Sequence, residues 1–137
     1  MKLRKRQSAQ PYLGASAEDI ASLRTYYKEV SKFKLLTAEE ERELGARIQG
    51  RSDRKAAIAL TNHNLRFVMS IAWRYRGRGL EYNDLVQEGN IGLMTAVAYF
   101  DPTLGYRFST FATWWIRQGI HRALDNLSTT IRLPVHI

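Results

Sequence analysis

The sequence predicts an all-α protein, a compact bundle of about five helices, and two observations carry that expectation. Apolar residues recur at three-and-four spacing along most of the chain, the period of a helix that buries one face. No stretch requires a strand pair.

Residues 1–15 are basic, then contain Pro, Gly and Ala without apolar periodicity, and read as a flexible arm with weak attraction for phosphate. Ser16 and Asp19 stand at capping-box spacing, and Ile20, Leu23, Tyr27 and Val30 follow at helical intervals, which predicts a first helix over 16–32. Thr37-Ala-Glu-Glu40 repeats the capping signal. Glu39, Glu40 and Glu41 suit a helix N-terminus, Leu44 and Ile48 supply the apolar stripe, and Gly50 is the expected stop. Over 53–76, Ala57, Leu60, Leu65, Val68, Ile71, Ala72 and Tyr75 keep helical spacing across the polar Thr61-Asn62-His63-Asn64, which predicts one long helix bent at 62–64.

Gly77-Arg78-Gly79 makes a turn, and the next helix covers 81–100. Gly89 and Gly92 share a face with Leu85 and Ala96 there, which predicts close approach of a neighbouring helix. Asp101-Pro102 ends that helix, and Leu104-Gly105 turns. Ser109 is the expected cap of a last helix through Trp114, Ile116, Ile120 and Leu124 to Asn126. Residues 131–137, around Pro134, are expected to be extended.

The 137 residues suffice for one domain, and 21 Lys and Arg against 13 Asp and Glu give a formal charge of +8 and a pI near 10.0. That balance favours a polyanionic partner, nucleic acid before an anionic membrane. The absence of cysteine excludes disulfides, thiolate nucleophiles and cysteine-ligated zinc. No apolar run approaches the roughly 20 residues of a membrane span, and the basic residues 1–7 are not followed by an apolar stretch, so a soluble, cytoplasmic protein is expected. His63, His121 and His136 lack ligand spacing, the acidic pairs fall in caps, and Gly77-Arg-Gly79 is no phosphate loop. No catalytic residue, metal or cofactor is expected, and the protein reads as a non-enzyme.

Three surfaces remain to be explained. Tyr99, Phe100, Tyr106, Phe108, Phe111, Trp114 and Trp115 put seven of the 15 aromatic residues (3 Trp, 7 Tyr, 5 Phe) between positions 99 and 115. Aromatic stripes are usually core, but consecutive tryptophans diverge by about 100° on a helix, so Trp114 and Trp115 cannot both enter a narrow core face. Phe111, Trp115, Gln118 and Arg122 share one side, with π-faces at one end and His121 and hydrogen-bonding groups at the other, which suits unstacked bases beside duplex DNA. Asp84, Gln87, Asn90 and Met94 form a polar helix face, ordinarily a solvated one. The basic stretch 51–78 is of low specificity and reads as solvated or phosphate-facing.

Asn64-Leu-Arg-Phe-Val68, Asp84-Leu-Val-Gln-Glu-Gly-Asn-Ile-Gly-Leu-Met94, Arg107-Phe-Ser-Thr-Phe-Ala-Thr-Trp-Trp-Ile-Arg-Gln118 and the tail Thr130-Ile-Arg-Leu-Pro-Val-His136 closely resemble the sigma-70 family of bacterial transcription initiation factors. The resemblance covers residues 16–137. It implies a segment like sigma region 1.2 over 16–50, region 2 over 51–127, and the start of a linker over 128–137. It further implies that Leu65, Val68, Asp84, Gln87, Asn90 and Met94 dock on the coiled coil of the RNA polymerase β′ subunit. The aromatic block, Phe108 and Trp114 included, would capture the non-template strand of the promoter minus-ten element. A flipped adenine would lie among Phe100, Asp101, Arg107, Thr110 and Phe111, with Tyr106 and Trp115 at the fork. A second flipped base would be held by Asn64, Phe67 and Ser109, where Phe67 replaces a common smaller aliphatic.

By the same resemblance Gln118 and His121, with Arg122 beside them, read the last duplex pair, and relatives differ at the position of His121. Leu104 stands where many members carry arginine and Phe111 where tyrosine is frequent, changes that keep shape, remove polar contacts and predict altered promoter choice. Tyr27 and Lys28 match a discriminator-contacting segment, and an anti-sigma protein is a further candidate partner. The alternative readings are a generic basic helical DNA-binding module, a truncated sigma-like regulator, and a nuclease whose metal site only folding would assemble.

Overall fold

The computed structural model describes the backbone of residues 17–136 and the side chains of residues 17–127. Six α-helices and one 3₁₀ turn account for the regular structure among the described residues, and no strand occurs there. They are α1 (Ala17–Val30), α2 (Ala38–Arg51), α3 (Arg54–Asn62), α4 (Leu65–Trp73), α5 (Tyr82–Tyr99), the 3₁₀ turn (Pro102–Leu104) and α6 (Phe108–His136). The predicted N-terminal arm and the cap at Ser16 lie outside the described residues.

Local chemistry explains most boundaries. The Thr37 hydroxyl accepts from the Glu40 N–H at 3.1 Å, and the Glu40 carboxylate accepts from the Thr37 N–H at 2.9 Å, a complete capping box for α2. Gly50 does not stop that helix. Ser52 does, in the left-handed region at φ 51°, with its N–H bonded to the Ile48 carbonyl. Asp53 then caps α3 through the Ala56 N–H and pairs with Arg47 at 2.9 Å, which clamps the turn.

The single helix expected over 53–76 is two helices. The Asn64 amide donates to the Leu60 carbonyl at 2.8 Å, taking the acceptor that its own N–H would use in a continuous helix, and the Asn64 backbone leaves helical geometry at φ −117°, ψ 6°. The His63 ring meets the Lys34 carbonyl at 2.7 Å and the Phe33 ring edge-on at 5.3 Å, so the α1–α2 connection is fastened to this break.

The core forms where α5 and α6 cross. Leu85, Leu93, Ala96, Phe108, Ala112, Ile116 and Ile120 are fully buried there. Burial of each large side chain contributes about 1.5–3 kcal/mol, which far exceeds differences in helix propensity. The predicted close approach at the glycines is present. A Cβ on Gly92 would collide with the Trp115 carbonyl and lie 2.9 Å from Ile116 Cα, and one on Gly119 would lie 2.6 Å from the Glu88 carbonyl oxygen. Val68 fills the space above Gly89.

The last helix departs from expectation at both ends. It begins at Phe108, so Ser109 lies inside its first turn and its carbonyl accepts from Thr113, which leaves the predicted cap role to another group. It also continues to His136, beyond the expected end at Asn126, and the predicted extended tail over 131–136 is helical. No glycine or proline interrupts residues 120–133, so nothing local stops the helix at Asn126.

Gly92→Ala is expected to destabilise the fold by about 3 kcal/mol, because the obstacle is backbone and cannot rotate away. Gly50→Ala, with nothing within 4 Å of its Cβ, should raise stability by about 0.5–1 kcal/mol. Urea denaturation followed by circular dichroism measures both.

Candidate functional site

The aromatic block is a ladder built on the first two turns of α6. Tyr106 stacks on Phe111 (centroids 6.2 Å, planes at 13°), Phe111 meets Trp115 at 6.3 Å, and Trp115 stacks on Tyr99 at 5.7 Å and 15°. Trp114 stands perpendicular to Trp115 at 5.0 Å. The divergence expected of the consecutive tryptophans is realised: Trp114 is 57% exposed, while Trp115 is half-buried between its neighbours. Tyr106, Thr110, Phe111, Trp114 and Trp115 line an open pocket of about 420 Å³. Four π-faces or edges around one concavity fit a flat unsaturated ring better than they fit a charged or flexible ligand.

Not every expected member of the site opens onto this pocket. Phe108 is 0% and Phe100 4% exposed, and their rings meet edge-to-face at 5.1 Å beneath the ladder, where they support Phe111. Asp101 turns away to cap the 3₁₀ turn, accepting from the Thr103 N–H at 2.9 Å and hydroxyl at 2.6 Å. Asn64 is buried and spends its amide on Leu60. Phe67 and Ser109 are half-buried. Tyr99, which the sequence reading left in the cluster without a role, is 67% exposed and extends the ladder.

Arg107 is held by a residue that the sequence reading assigned only to a helix terminus. Glu41, 5% exposed on α2, accepts from Arg107 Nε at 2.8 Å and Nη2 at 3.2 Å, and from the Phe108 N–H at 3.1 Å. Arg107 also donates to the Leu36 carbonyl at 3.0 Å. The Glu41 hydrogen bonds, and then its charge, hold Arg107 above its already high ordinary pKa. Glu41 thus caps α6 from a different helix, in place of Ser109. Sixty-six positions separate Glu41 from Arg107, so no local pattern could reveal the pairing.

Further along α6, Gln118, His121 and Arg122 are exposed in the turns after the pocket, as expected. His121 Nε2 lies 3.0 Å from the Tyr75 hydroxyl. Arg74, Arg78 and Arg117 are also exposed, which gives this end a positive rim.

On the polar face of α5, Asp84 and Gln87 are exposed and Met94 is 53% exposed, with Ile91 at 52% beside them. Met94 borders an open groove of about 660 Å³ between α2, α3 and α5. Leu65 is half-buried. Val68, expected on this face, is 0% exposed because its side chain is needed over Gly89; it supports the face and does not form it. Asn90 donates to the Tyr26 hydroxyl of α1 at 3.0 Å, and its Oδ1 is buried without a hydrogen-bond partner among the described residues. Tyr27 and Lys28 point outward from α1, with Tyr27 53% exposed.

Fold and site together define an all-helical domain that presents an aromatic ladder and a positive rim along one helix. Residues 60–129 match the model of sigma-70 region 2, and residues 22–50 match that of sigma-70 factor region 1.2. The protein named RNA polymerase sigma factor SigA in Clostridium acetobutylicum is 53% identical over 115 residues, which cover 84% of this chain and 30% of that relative. The chain belongs to the sigma-70 family.

Two consequences can be measured. Glu41→Ala removes the acceptor for the Phe108 N–H and should cost about 1–2 kcal/mol, as loss of a helix cap does, while Glu41→Gln keeps an acceptor and should lose less. Chemical denaturation of both variants tests this. Three carboxyls lie below their ordinary pKa: Asp53 through the Ala56 N–H and then Arg47, Glu40 through the Thr37 N–H and then Lys34, and Asp101 through the Thr103 hydroxyl and then its N–H. The unfolded chain therefore binds more protons in this range, so the stability they contribute is complete above about pH 5 and falls as pH drops below about 4. Thermal midpoints between pH 7 and pH 3 should follow that sign.

Proposed function

We propose that this chain acts in transcription initiation, docking on core RNA polymerase through the exposed face of α5 and opening promoter DNA with α6. The observation that carries this reading is the open pocket of Tyr106, Thr110, Phe111, Trp114 and Trp115 in a member of the sigma-70 family. A base turned out of a duplex loses a few kcal/mol of stacking and pairing. One aromatic contact returns about 1–3 kcal/mol, so a pocket offering several rings can offset the loss where a lone ring cannot. The net charge of +8 draws in the phosphate backbone, and base capture then biases the duplex toward its open state. No bond is made or broken, and binding free energy alone drives the opening.

Within this reading the captured strand is the non-template strand of the minus-ten element. Tyr106, Thr110, Phe111, Trp114 and Trp115 make the base contacts, and Phe100 and Phe108 hold them from below. Tyr106 and Trp115 meet the fork, and Trp114, the exposed ring, offers a further stacking face beside them. Gln118, His121 and Arg122 face the adjoining duplex. Asp84, Gln87, Met94 and the outer edge of Leu65 contact the β′ coiled coil, with Val68 and Asn90 behind them. Tyr27 and Lys28 lie toward the discriminator.

The test is fluorescence anisotropy of a labelled single-stranded minus-ten oligonucleotide, its complement and a scrambled strand, with and without the β′ coiled-coil fragment. The non-template strand should bind best, the fragment should strengthen it, and Trp114→Ala should weaken it about tenfold, the loss of one stacking contact. Equal, merely salt-dependent binding of all three strands would instead favour a generic basic DNA-binding module.

A further inference from the structure

The turn after α4 is unusually well fastened for a surface loop, and its fastening leads to His121. Arg74, Tyr75 and Arg76 donate their N–H groups to the carbonyls of Ile71, Ala72 and Trp73. The Arg76 guanidinium lies 3.8 Å over the Trp73 ring and donates to the Trp73 carbonyl at 2.7 Å. The Arg78 guanidinium lies 5.2 Å over the Tyr75 ring. Tyr75, half-buried in this arrangement, meets the His121 ring edge-on at 5.1 Å and its hydroxyl is 3.0 Å from His121 Nε2. The other ring nitrogen, Nδ1, makes no hydrogen bond among the described residues, and the residue is exposed.

We infer that Tyr75 is a positioning residue that sets the base preference of His121, by holding Nε2 and leaving Nδ1–H as an outward hydrogen-bond donor. The inference rests on the reading of His121 as a duplex-edge contact. A phenol is a stronger acid than a neutral imidazole and a weaker base, so in a Tyr–His pair the O–H donates and Nε2 accepts. Neutral imidazole then carries its one proton on Nδ1. A protonated imidazole donates from both nitrogens, so Nδ1 remains a donor in that state too.

The chemistry selects a base class. In the major groove guanine presents O6 and N7, adenine N7 and thymine O4 as acceptors, whereas cytosine presents only its N4 amino group, a donor. An outward donor is accepted by guanine, by thymine and, through N7, by adenine, and is opposed by the lone amino group of cytosine, so it excludes cytosine from the contacted position. Gln118, Arg117 and Arg122 stand beside His121 on α6 and Arg78 faces it across Tyr75, but only His121 has its hydrogen-bonding sense set by a neighbour's hydroxyl.

Two measurements test this. Long-range proton–nitrogen NMR on the chain should show His121 protonated at Nδ1 and not at Nε2 in the neutral state, with the signature mixed or reversed in Tyr75→Phe. Polymerase reconstituted with the protein should then be bound to four promoter duplexes that differ only in the last pair upstream of the melted segment. The wild type should disfavour cytosine on the contacted strand by about three- to tenfold relative to the other three bases, the worth of one hydrogen bond. Tyr75→Phe should lose most of that preference while keeping its overall affinity, and His121→Ala should abolish it. An Nε2–H tautomer in the wild type, or a preference that survives Tyr75→Phe but not His121→Ala, would overturn the inference alone. A preference that survives His121→Ala would remove the duplex-edge reading and the inference with it.

Discussion

The α5–α6 crossing is the constraint on which the rest of this structure depends. Gly92 and Gly119 leave no room for a Cβ between the two backbones, so the helices meet with main chain nearly against main chain. That spacing brings Val68 over Gly89 and closes Ile116 and Ile120 into the core. It also decides what faces outward. Once Ile116 is inward, the preceding Trp115 lies along the seam and Trp114 must stand free, because successive residues turn by about 100°. The exposed ring and the braced ring are thus products of one packing decision.

A second layer of control comes from the chain that precedes the core. Glu41 reaches from α2 to the first N–H of α6 and to Arg107, fixing where the aromatic helix starts. Phe100 and Pro102 pack within 3.0 Å of the position a Cβ would take on Gly45, so α2 also sets the floor under the ladder. The two family models meet at this contact: Glu41 belongs to the stretch matched as region 1.2, and Arg107 and Phe108 to that matched as region 2. In this chain the two stretches are mechanically one body at the base of the candidate site. The chain's excess positive charge alone would suggest that Arg107 is free for phosphate; the buried Glu41 carboxylate, which accepts two hydrogen bonds from it, holds it instead.

Much of this was legible in the sequence. The helical spacing of Leu85, Gly89, Gly92 and Ala96 already implied a close neighbour, and Thr37 with Glu40 already spelled a capping box, because both effects act within a few turns of one helix. The aromatic density at 99–115 singled out the candidate surface, and the +8 charge the kind of partner, from the sequence alone. What went unread was the competition between neighbours. Gly50 looked like a stop, yet the stop is Ser52, where Arg47 and Asp53 close the turn. Residues 53–76 kept apolar register through Asn64, yet its side chain takes the Leu60 carbonyl and breaks the helix.

Sequence by itself determined the fold class and the face that carries the aromatic rings, since both follow from composition and spacing along one chain, and its motifs carried the resemblance to the family. Only the tertiary structure decided which of those residues act at the surface. Phe108, Phe100 and Val68 are chemically suited to contact a partner but are claimed by the core. Glu41, Tyr99 and Tyr75, to none of which sequence assigned a site role, gain their roles from partners 66, 16 and 46 positions away. The physical reason is that burial and hydrogen bonding are settled between segments brought together by folding, and spacing within a segment carries no record of which distant group arrives first.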